Sequence, residues 1–457
     1  MQYVKFGKTK LLFEKITVIA LALLVAQGRT HAADFSAWKH RLPITLMYRD
    51  DGTKGQLPID VTFSLLADFC ADPQKELRLV LKTASGEEEV PFQLSRFSRW
   101  TKDTDGKRSM PTLNGRITFF DDSSGNGNAE YFLLYGNTNA AAPNYPTDLQ
   151  VSGKGPAWVI ENSKMIVRLH GRKDGVEKST NHDSGQISAV ILKANPDVPY
   201  ETKQNVLHWD PDIFIPTRRW SYPFLWDPPE SCEIVSGPIF VEVRRSGPFP
   251  DIEEAHLAVN YRIFANRSYI ESGTIIRIQN DVGVAALRND ELIFPEGFFT
   301  HVGWDDNGRH AVSPMSAHKR VNKHGDILRF SPVADYVAFF NPSNGVGAAT
   351  VRESFAAIGP DGAPAPLCDN ATYVTLGNGL QYWFRALIFL LCDSYDPANH
   401  DHRRLATVPK GSIYADRNYY LFYVPEKGDP VSEPINLSRS ARMGPDIKVG
   451  DVLPPSR

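Results

Sequence analysis

Short apolar segments separated by turn residues dominate the first third of the chain. Between positions 41 and 137 they read RLPITLMY, LPIDVTFSL, ELRLVLKT, VPFQL, GRITFF and EYFLLYG, with Asp-Gly, Ser-Gly and Gly-Asn-Gly turns between them. Several of them alternate apolar and polar residues with a period of two, which is typical of β-strands with one face in a core. The pattern predicts a small β domain, a barrel or sandwich, over residues 33–138.

A second block of strand patterns follows a segment rich in Pro and Ala, NAAAPNYPT at 139–147, which is typical of an interdomain linker. Eleven apolar segments follow from position 157 onward, the last of them YYLFYVP, and none of the intervening sequence predicts an amphipathic helix of ten residues or more. We therefore expect an all-β protein: a small N-terminal β-barrel or sandwich, then a large antiparallel β-supersandwich over 148–440, and a C-terminal tail over 441–457.

The N-terminus has the layout of a secretory signal peptide. Four lysines precede the apolar run ITVIALALLVA, and small residues at Thr30 and Ala32 favour cleavage before Ala33. No apolar run reaches the roughly 20 residues that a membrane-spanning helix needs. We expect residues 1–32 to be removed, the protein to be secreted or periplasmic, and no membrane span.

Charge and cysteine content narrow the function further. The chain has 50 basic and 53 acidic residues, a formal charge of −3, and no basic stripe, which argues against nucleic-acid binding. Cys70, Cys232, Cys368 and Cys392 lack zinc-binding spacing. In an oxidising compartment, Cys368 with Cys392 is the disulfide we expect, because both flank predicted strands.

Two segments interrupt the strand pattern and are interpreted as long ligand-binding loops, 208–229 and 298–324. They contain aromatic and arginine residues suited to sugars, because indole rings stack on C–H faces and guanidinium groups bind carboxylates. The predicted substrate-binding residues are Trp209, Arg218, Arg219, Trp220, Trp226 and Trp304.

The chain has a family resemblance that rests on five segments: VPFQL and YFLLYGN, followed by SGPIFVEVRR, LAVNYRIF and FFTHVGW. It resembles the β domains of exo-rhamnogalacturonan lyases and, more broadly, the carbohydrate-active supersandwiches related to galactose mutarotase. The resemblance implies a polysaccharide context, with an acidic polysaccharide or oligosaccharide as the partner.

Eliminative cleavage of a uronate requires a group that neutralises the carboxylate, a base and an acid, which Arg, His and Tyr supply. We therefore predict a polysaccharide lyase that cleaves uronate-containing glycans by β-elimination. Its predicted catalytic residues are His301, Tyr261, Arg262 and His182. Tyr261 and Arg262 are adjacent in a predicted strand, so their side chains should face opposite sides of the sheet.

Two other functions stay open: a non-catalytic carbohydrate-binding protein of a glycan-utilisation system, and a glycoside hydrolase. Hydrolysis would need two carboxylates across a cleft, and the candidate pairs are Asp305 with Asp306, Asp210 with Asp212, and Asp227 with Glu230. No cofactor and no catalytic metal are predicted. Ca²⁺ is the structural ion to test, with donor sets at His301, Asp305 and His310 and at 400–402.

Overall fold

A computed structural model describes residues 34–49, 54–100, 111–123, 127–173, 182–202, 206–218, 220–306, 308–319, 326–390 and 405–453. The predicted signal peptide, 1–32, lies outside these residues. Within the described residues nearly every regular element is a strand, which confirms the expected all-β class.

Two groups of strands follow one another along the chain, each with a short helix. The first part contains β1 (His40–Met47), β2 (Ile59–Leu66), α1 (Pro73–Glu76), β3 (Arg78–Thr83), β4 (Gly86–Val90), β5 (Phe92–Trp100), β6 (Thr112–Phe119) and β7 (Ala129–Tyr135). The second part begins with β8 (Gln150–Lys154), β9 (Ala157–Glu161), β10 (Met165–Leu169), β11 (Ile187–Leu192), β12 (Tyr200–Glu201), β13 (Asp212–Phe214), β14 (Ser231–Ser236), β15 (Phe240–Phe249), β16 (Ile252–Phe264), β17 (Tyr269–Ile278) and β18 (Val282–Val284). It continues with β19 (Ala286–Pro295), β20 (His301–Asp306), β21 (Arg309–Pro314), β22 (Asp326–Arg329), β23 (Tyr336–Asn341), β24 (Val346–Ile358), β25 (Thr372–Gly377), β26 (Leu380–Phe389), β27 (Ala406–Val408), β28 (Ile413–Tyr423), α2 (Ser432–Arg442) and β29 (Asp446–Val449).

The first part folds into two antiparallel sheets, one in the order β29-β1-β7-β3-β4 and the other in the order β2-β6-β5. Alternating residues such as Val61, Phe63 and Leu65 of β2 are buried in the core of this domain. Gly115 of β6 lies opposite Phe63, and a Cβ atom at this position would be 2.6 Å from the Phe63 ring. The close approach explains why this strand carries a glycine.

The second part is a large sandwich. Its nine-stranded sheet has the order β14-β15-β16-β17-β28-β24-β23-β20-β21, and two five-stranded sheets have the orders β12-β11-β10-β9-β8 and β13-β19-β26-β25-β22. One hydrophobic cluster contains residues of all three sheets, among them Val167, Val259 and Trp383. The inner face of the nine-stranded sheet therefore packs on the other two sheets, and its outer face is available to other parts of the chain.

Two segments differ from the sequence-based prediction. Helix α2 has eleven residues where no helix of ten or more is expected, and its Leu437 packs on the outer face of the nine-stranded sheet. The segment predicted as a tail returns to the first domain, because β29 pairs with β1 in the register Ile44 to Val449. Across the described ranges, no helix has the length and apolar character needed to cross a membrane.

The two predicted ligand loops also contain regular structure. The segment HVGWDD, expected to be a loop, forms β20, which pairs with both β21 and β23. The segment 208–229 contains β13, whose residues 212–214 are buried. In β13, Asp212 pairs with the buried Arg288 and Ile213 belongs to the main hydrophobic cluster, so this part of the segment lies in the core.

Candidate functional site

The outer face of the nine-stranded sheet has a covered half and an open half. Helix α2 and apolar residues of the first domain, including Leu57 and Phe120, cover the half that contains Tyr269 and Tyr419. The open half has small side chains at its centre: Asn260, Gly273 and Ser354 follow one another across β16, β17 and β24, with Arg417 of β28 between the last two.

A cleft of about 190 Å³ lies over this open half, at the border with the first domain. Its walls are formed by charged residues, and we call it the arginine cleft after them: Arg96, Arg116, Glu242, Arg262, Glu271 and Arg417. Gly273 lies on its floor, and a Cβ atom added there would meet no other atom within 4 Å. The cleft therefore has a shallow floor with space above it.

Arg262 connects the two domains at one end of the arginine cleft. Its Nε donates to Glu271 at 2.9 Å, and its two terminal nitrogens each donate to Asp60 of β2 at 3.0 Å. Burial lowers the pKa of Arg262, but the charges of Glu271 and Asp60 outweigh this and hold the pKa well above its usual value. The fork geometry of a guanidinium group suits this double pairing.

Glu242 lies beside Arg262 in the cleft, because the two residues are direct cross-strand partners in β15 and β16. It pairs with Arg96 at 3.3 Å and with Arg244, and its side chain is 3% exposed. Burial raises the pKa of Glu242, but the hydrogen bond from Arg244 and the charges of Arg244 and Arg96 lower it by more. The pKa of Glu242 therefore lies below its usual value. Glu242 is therefore a fixed anion that orients the arginines around it.

Glu353 lies beside the arginine cleft because of an irregularity in β24. It contacts Arg417 of the cleft, but it lines a neighbouring cavity of about 180 Å³ rather than the cleft itself. The pairing of β24 with β28 shifts register between Arg352 and Ser354, and the extra residue is Glu353. Bulges of this kind turn a side chain to a new direction and are frequent beside active sites. Glu353 accepts a hydrogen bond from Arg417 at 3.1 Å, and the Nε atom of Arg417 lies 3.6 Å from Glu271.

The two carboxylates that share Arg417 are not in equivalent environments. Burial and the nearby charge of Glu271 raise the pKa of Glu353 in spite of Arg417. The Oε2 atom of Glu353 is buried and has no hydrogen-bond partner among the residues the structure describes. Glu271 instead has Arg262 and Arg417 as partners. Glu353 is thus suited to hold a proton, whereas Glu271 has two cationic partners.

The four predicted catalytic residues do not converge on one place. Arg262 is in the arginine cleft, whereas Tyr261 points into the sandwich, as the alternation of a strand requires. The Tyr261 hydroxyl donates to Gln186 at 2.6 Å, and burial raises its pKa to about 12. His301 belongs to β20, which β23 and β24 separate from β28, and its ring stacks on Phe340.

His182 lies away from the cleft as well. Its half-buried ring meets the edge of Phe224 at 5.2 Å, and its carbonyl oxygen is 2.8 Å from Nδ1 of His170.

The predicted substrate-binding residues pack mainly against other side chains. Trp226 is 4% exposed and donates to the Pro248 carbonyl, so its ring is closed to a sugar. Trp209 stacks on Tyr222 at 5.6 Å. The remaining placements are as follows: Trp220 stacks on Phe214 with Arg288 4.4 Å from its ring, Trp304 packs on Phe330, and Arg218 pairs with Glu254 at 2.8 Å. Arg219 lies outside the described residues.

The predicted carboxylate pairs each have another role in the described fold. Asp210 and Asp212 are buried, Asp227 pairs with Arg172, and Glu230 is 3.6 Å from His256. Asp305 accepts from the Gly308 amide at 2.9 Å, and the side chain of Asp306 is not described. Sequence reasoning misses Glu271 and Glu353 because neither belongs to a loop motif, and only the bulge and the sheet register bring them together.

The predicted metal and disulfide sites have these outcomes. Among the described residues no group of three or more His, Cys, Asp or Glu side chains could hold a metal ion. His310 of the first donor set lies 3.2 Å from the Tyr336 hydroxyl, and positions 400–402 lie outside the described residues. Cys70, Cys232 and Cys368 are free cysteines, and Cys392, the predicted partner of Cys368, lies outside the described residues.

The sandwich also contains a buried ionic layer, defined by Asp210, Asp212, Arg288, Asp290, Glu291, Arg385 and Asp416. All seven residues are at most 5% exposed. Arg288 pairs with Asp212 and, at 3.2 Å, with Glu291, whereas Arg385 pairs with Asp290 and Asp416. Of these seven residues only Asp416 also lines the arginine cleft, so the buried ionic layer is a part of the core that connects the sheets rather than a binding site.

The chain is similar to solved structures but to no protein family or curated protein in the comparisons. An alpha-mannosidase from Enterococcus faecalis V583 is similar over 97% of this chain and 49% of its own, with a TM-score of 0.50 and 11% sequence identity. A second Enterococcus faecalis structure, of a protein in glycosyl hydrolase family 38, has a TM-score of 0.49 and 11% identity over 96% of this chain and 50% of its own.

A galactose mutarotase-like protein from Lactobacillus casei ATCC 334 is similar over 58% of this chain and 99% of its own, with a TM-score of 0.35 and 9% identity. The chain spans about half the length of the alpha-mannosidase it matches. At 11% identity the likeness to the alpha-mannosidase concerns the fold alone and says nothing about the chemistry.

Proposed function

We propose that the protein is exported from the cytoplasm, binds a glycan in the arginine cleft and hydrolyses a glycosidic bond there. The observation that carries this proposal is the pair of carboxylates, Glu271 and Glu353, that share Arg417 beside the open cleft. Glycoside hydrolysis uses two carboxyl groups with different protonation states, one as the acid and the other as nucleophile or base.

In this reaction Glu353 donates its proton to the glycosidic oxygen as the C–O bond breaks, because its raised pKa keeps that proton available. Glu271, held by Arg262 and Arg417, supplies the negative charge on the other side of the sugar. The oxygen of a water molecule then forms the new bond to the anomeric carbon, and the proton that this water releases restores the acid form of Glu353. Arg417 contacts both groups and positions them relative to one another.

An acidic glycan is the proposed substrate class. The side chains of Arg96 and Arg417 are 50% and 37% exposed, so both can donate further hydrogen bonds to a ligand in the cleft. A guanidinium group binds a sugar carboxylate with two parallel hydrogen bonds. The name of the similar alpha-mannosidase supports a carbohydrate context and favours hydrolysis over the eliminative cleavage implied by the lyase resemblance.

Elimination and non-catalytic binding are the competing functions. The residues expected to perform elimination, His301, Tyr261 and His182, lie outside the arginine cleft. Binding without turnover is favoured by one observation: Glu271 and Glu353 are already ion-paired with Arg417. A binding protein would keep these pairs, whereas a hydrolase would loosen them when substrate enters.

The test incubates the purified protein with a panel of acidic and neutral polysaccharides and measures reducing ends and ultraviolet absorbance in parallel. Hydrolysis produces reducing ends without the absorbance of an unsaturated uronate, and we expect Glu353→Gln and Glu271→Gln each to lower the rate at least about 100-fold. Glu254→Gln is the matched control, because Glu254 also pairs with an arginine but lies outside the cleft.

Each other outcome identifies a different function. Rising absorbance would establish elimination. Binding measured by calorimetry without any product would establish a binding protein. Reducing ends that persist in both Gln variants would exclude these carboxylates from catalysis.

A further inference from the structure

A second, larger cavity lies apart from the arginine cleft, where three parts of the chain meet. It has a volume of about 540 Å³, and the first domain contributes Lys54 and Ser123, the sandwich Lys164, and helix α2 Asn436. None of the residues that line the arginine cleft lines this cavity. We call it the junction cavity.

Its charges are balanced. Three cationic side chains and three carboxylates line it, the cations being Lys54, Lys164 and Arg267. Several are already engaged: the Lys54 ammonium lies 3.2 Å from the Ser123 hydroxyl, and Arg267 donates to the Gly55 carbonyl at 2.6 Å. An anion or a cation would therefore meet as many like charges as opposite ones, so the cavity favours a ligand without net charge.

Neutral polar groups and apolar surface complete the lining. Asn436 and Ser268 offer hydrogen-bonding groups, while Leu421, Leu437 and the ring of Tyr269 offer apolar contact. A purely apolar ligand would bury these polar groups without partners, which is costly. A ligand that carries hydroxyl groups on an apolar ring satisfies both kinds of surface, and one or two sugar rings fit within the usual volume of small-molecule sites, roughly 300–1,000 Å³.

We propose that the junction cavity binds a neutral saccharide of one or two rings, at a site distinct from the arginine cleft. Because the first domain, the sandwich and α2 all contribute to the lining, a bound saccharide would also hold these three parts together. Ligand binding to the folded state alone raises thermal stability by mass action. The proposal does not depend on catalysis by Glu271 and Glu353.

The test uses titration calorimetry on the full protein with methyl α-D-mannopyranoside, maltose and galacturonic acid. We expect binding of at least one of the two neutral probes, and a rise in melting temperature at saturation. Asn436→Leu and Lys164→Met remove polar groups from the lining, and each should weaken that binding about tenfold, the equivalent of one lost hydrogen bond.

Glu353→Gln provides the control, because Glu353 does not line the junction cavity. Neutral-probe binding that is unchanged by Asn436→Leu and Lys164→Met, or abolished by Glu353→Gln, would overturn the proposal, as would the absence of binding by both neutral probes. Tighter binding of galacturonic acid than of both neutral probes, weakened by the cavity variants, would overturn the assignment of a neutral ligand. Reducing-end release that continues in the cavity variants separates failure here from failure of the hydrolase proposal.

Discussion

Replacing Arg385 with Met tests how strongly the buried ionic layer stabilises the sandwich. The guanidinium of Arg385 donates to both carboxylate oxygens of Asp416, at 2.7 and 2.8 Å, and to Asp290 and Asn418, each at 3.1 Å. Methionine keeps much of the volume of the side-chain stem but provides no donor. The substitution therefore leaves two carboxyl groups in the core without their cation.

The expected loss follows from burial. Removing one partner of a buried ion pair destabilises a protein by about 3–5 kcal/mol, because the remaining charge has no compensation. Arg49 offers a matched control, since it also forms a two-pronged pair with an aspartate, Asp446, but the two side chains are 77% and 53% exposed. An exposed pair contributes about 0–1 kcal/mol, so Arg49→Met should have little effect.

Urea unfolding followed by circular dichroism and tryptophan fluorescence measures both losses, and Trp383 in the core reports on the affected region. Arg385→Lys provides a variant that keeps the charge and loses the fork, and its loss should lie between those of Arg385→Met and the wild type. Equal losses for Arg385→Met and Arg49→Met would show that burial does not set the contribution of these pairs, and would refute the reasoning.

Single positions provide three further tests. Gly273→Val places a side chain in the open space of the arginine cleft, so calorimetry should show loss of acidic-glycan binding with an unchanged melting temperature; retained binding would exclude this floor. Gln93→Ala leaves the buried amides of Ile239 and Phe240 without their acceptor and should cost about 1–3 kcal/mol in urea unfolding; an unchanged midpoint would contradict this. Burial raises the pKa of Asp290 from 3.8 to about 7. The contribution of Asp290 to the free energy of unfolding is therefore full below about pH 4 and is lost as the pH rises through 7. Asp290→Asn should flatten that part of the stability profile, and an unaltered profile would exclude Asp290 as its source.

Strands with one buried face could be predicted from the sequence, because burial of that face alone makes apolar and polar residues alternate. In β2, for example, every second residue enters the core of the first domain. Strand β19 shows where this fails. It carries Arg288, Asp290 and Glu291 in its middle, all buried, and the sequence around them has no two-residue alternation. Arg288 pairs with Asp212 of β13, and Asp290 pairs with Arg385 of β26. Because these partners are distant in the chain, no local pattern reveals that the two charges are compensated.

The candidate site could be predicted only in part for the same reason. Arg262 is identifiable from the sequence, and its opposition to Tyr261 follows from the geometry of a strand. Glu353 is not identifiable from the sequence. The direction of its side chain is set by a register shift, which depends on the pairing of β24 with β28. The tryptophans are misleading as a guide to exposure. Proline neighbours suggest loops, yet Trp226 fills the core between the segment that carries it and the main sheet.

The arginine cleft exists only because the first domain lies against the sandwich. Arg96 and Arg116 come from the first domain, and Asp60 of that domain neutralises part of the charge on Arg262. A sandwich without this domain would keep Glu271 and Arg417 but would lose one wall of the cleft and one partner of Arg262. The segment 139–147, predicted to be a linker, is one connection between the two parts of the chain, and the return of β29 to β1 is a second. A ligand in the arginine cleft would contact both domains, so its binding would depend on their relative position. The same holds for a ligand in the junction cavity, which is also lined by residues of both domains.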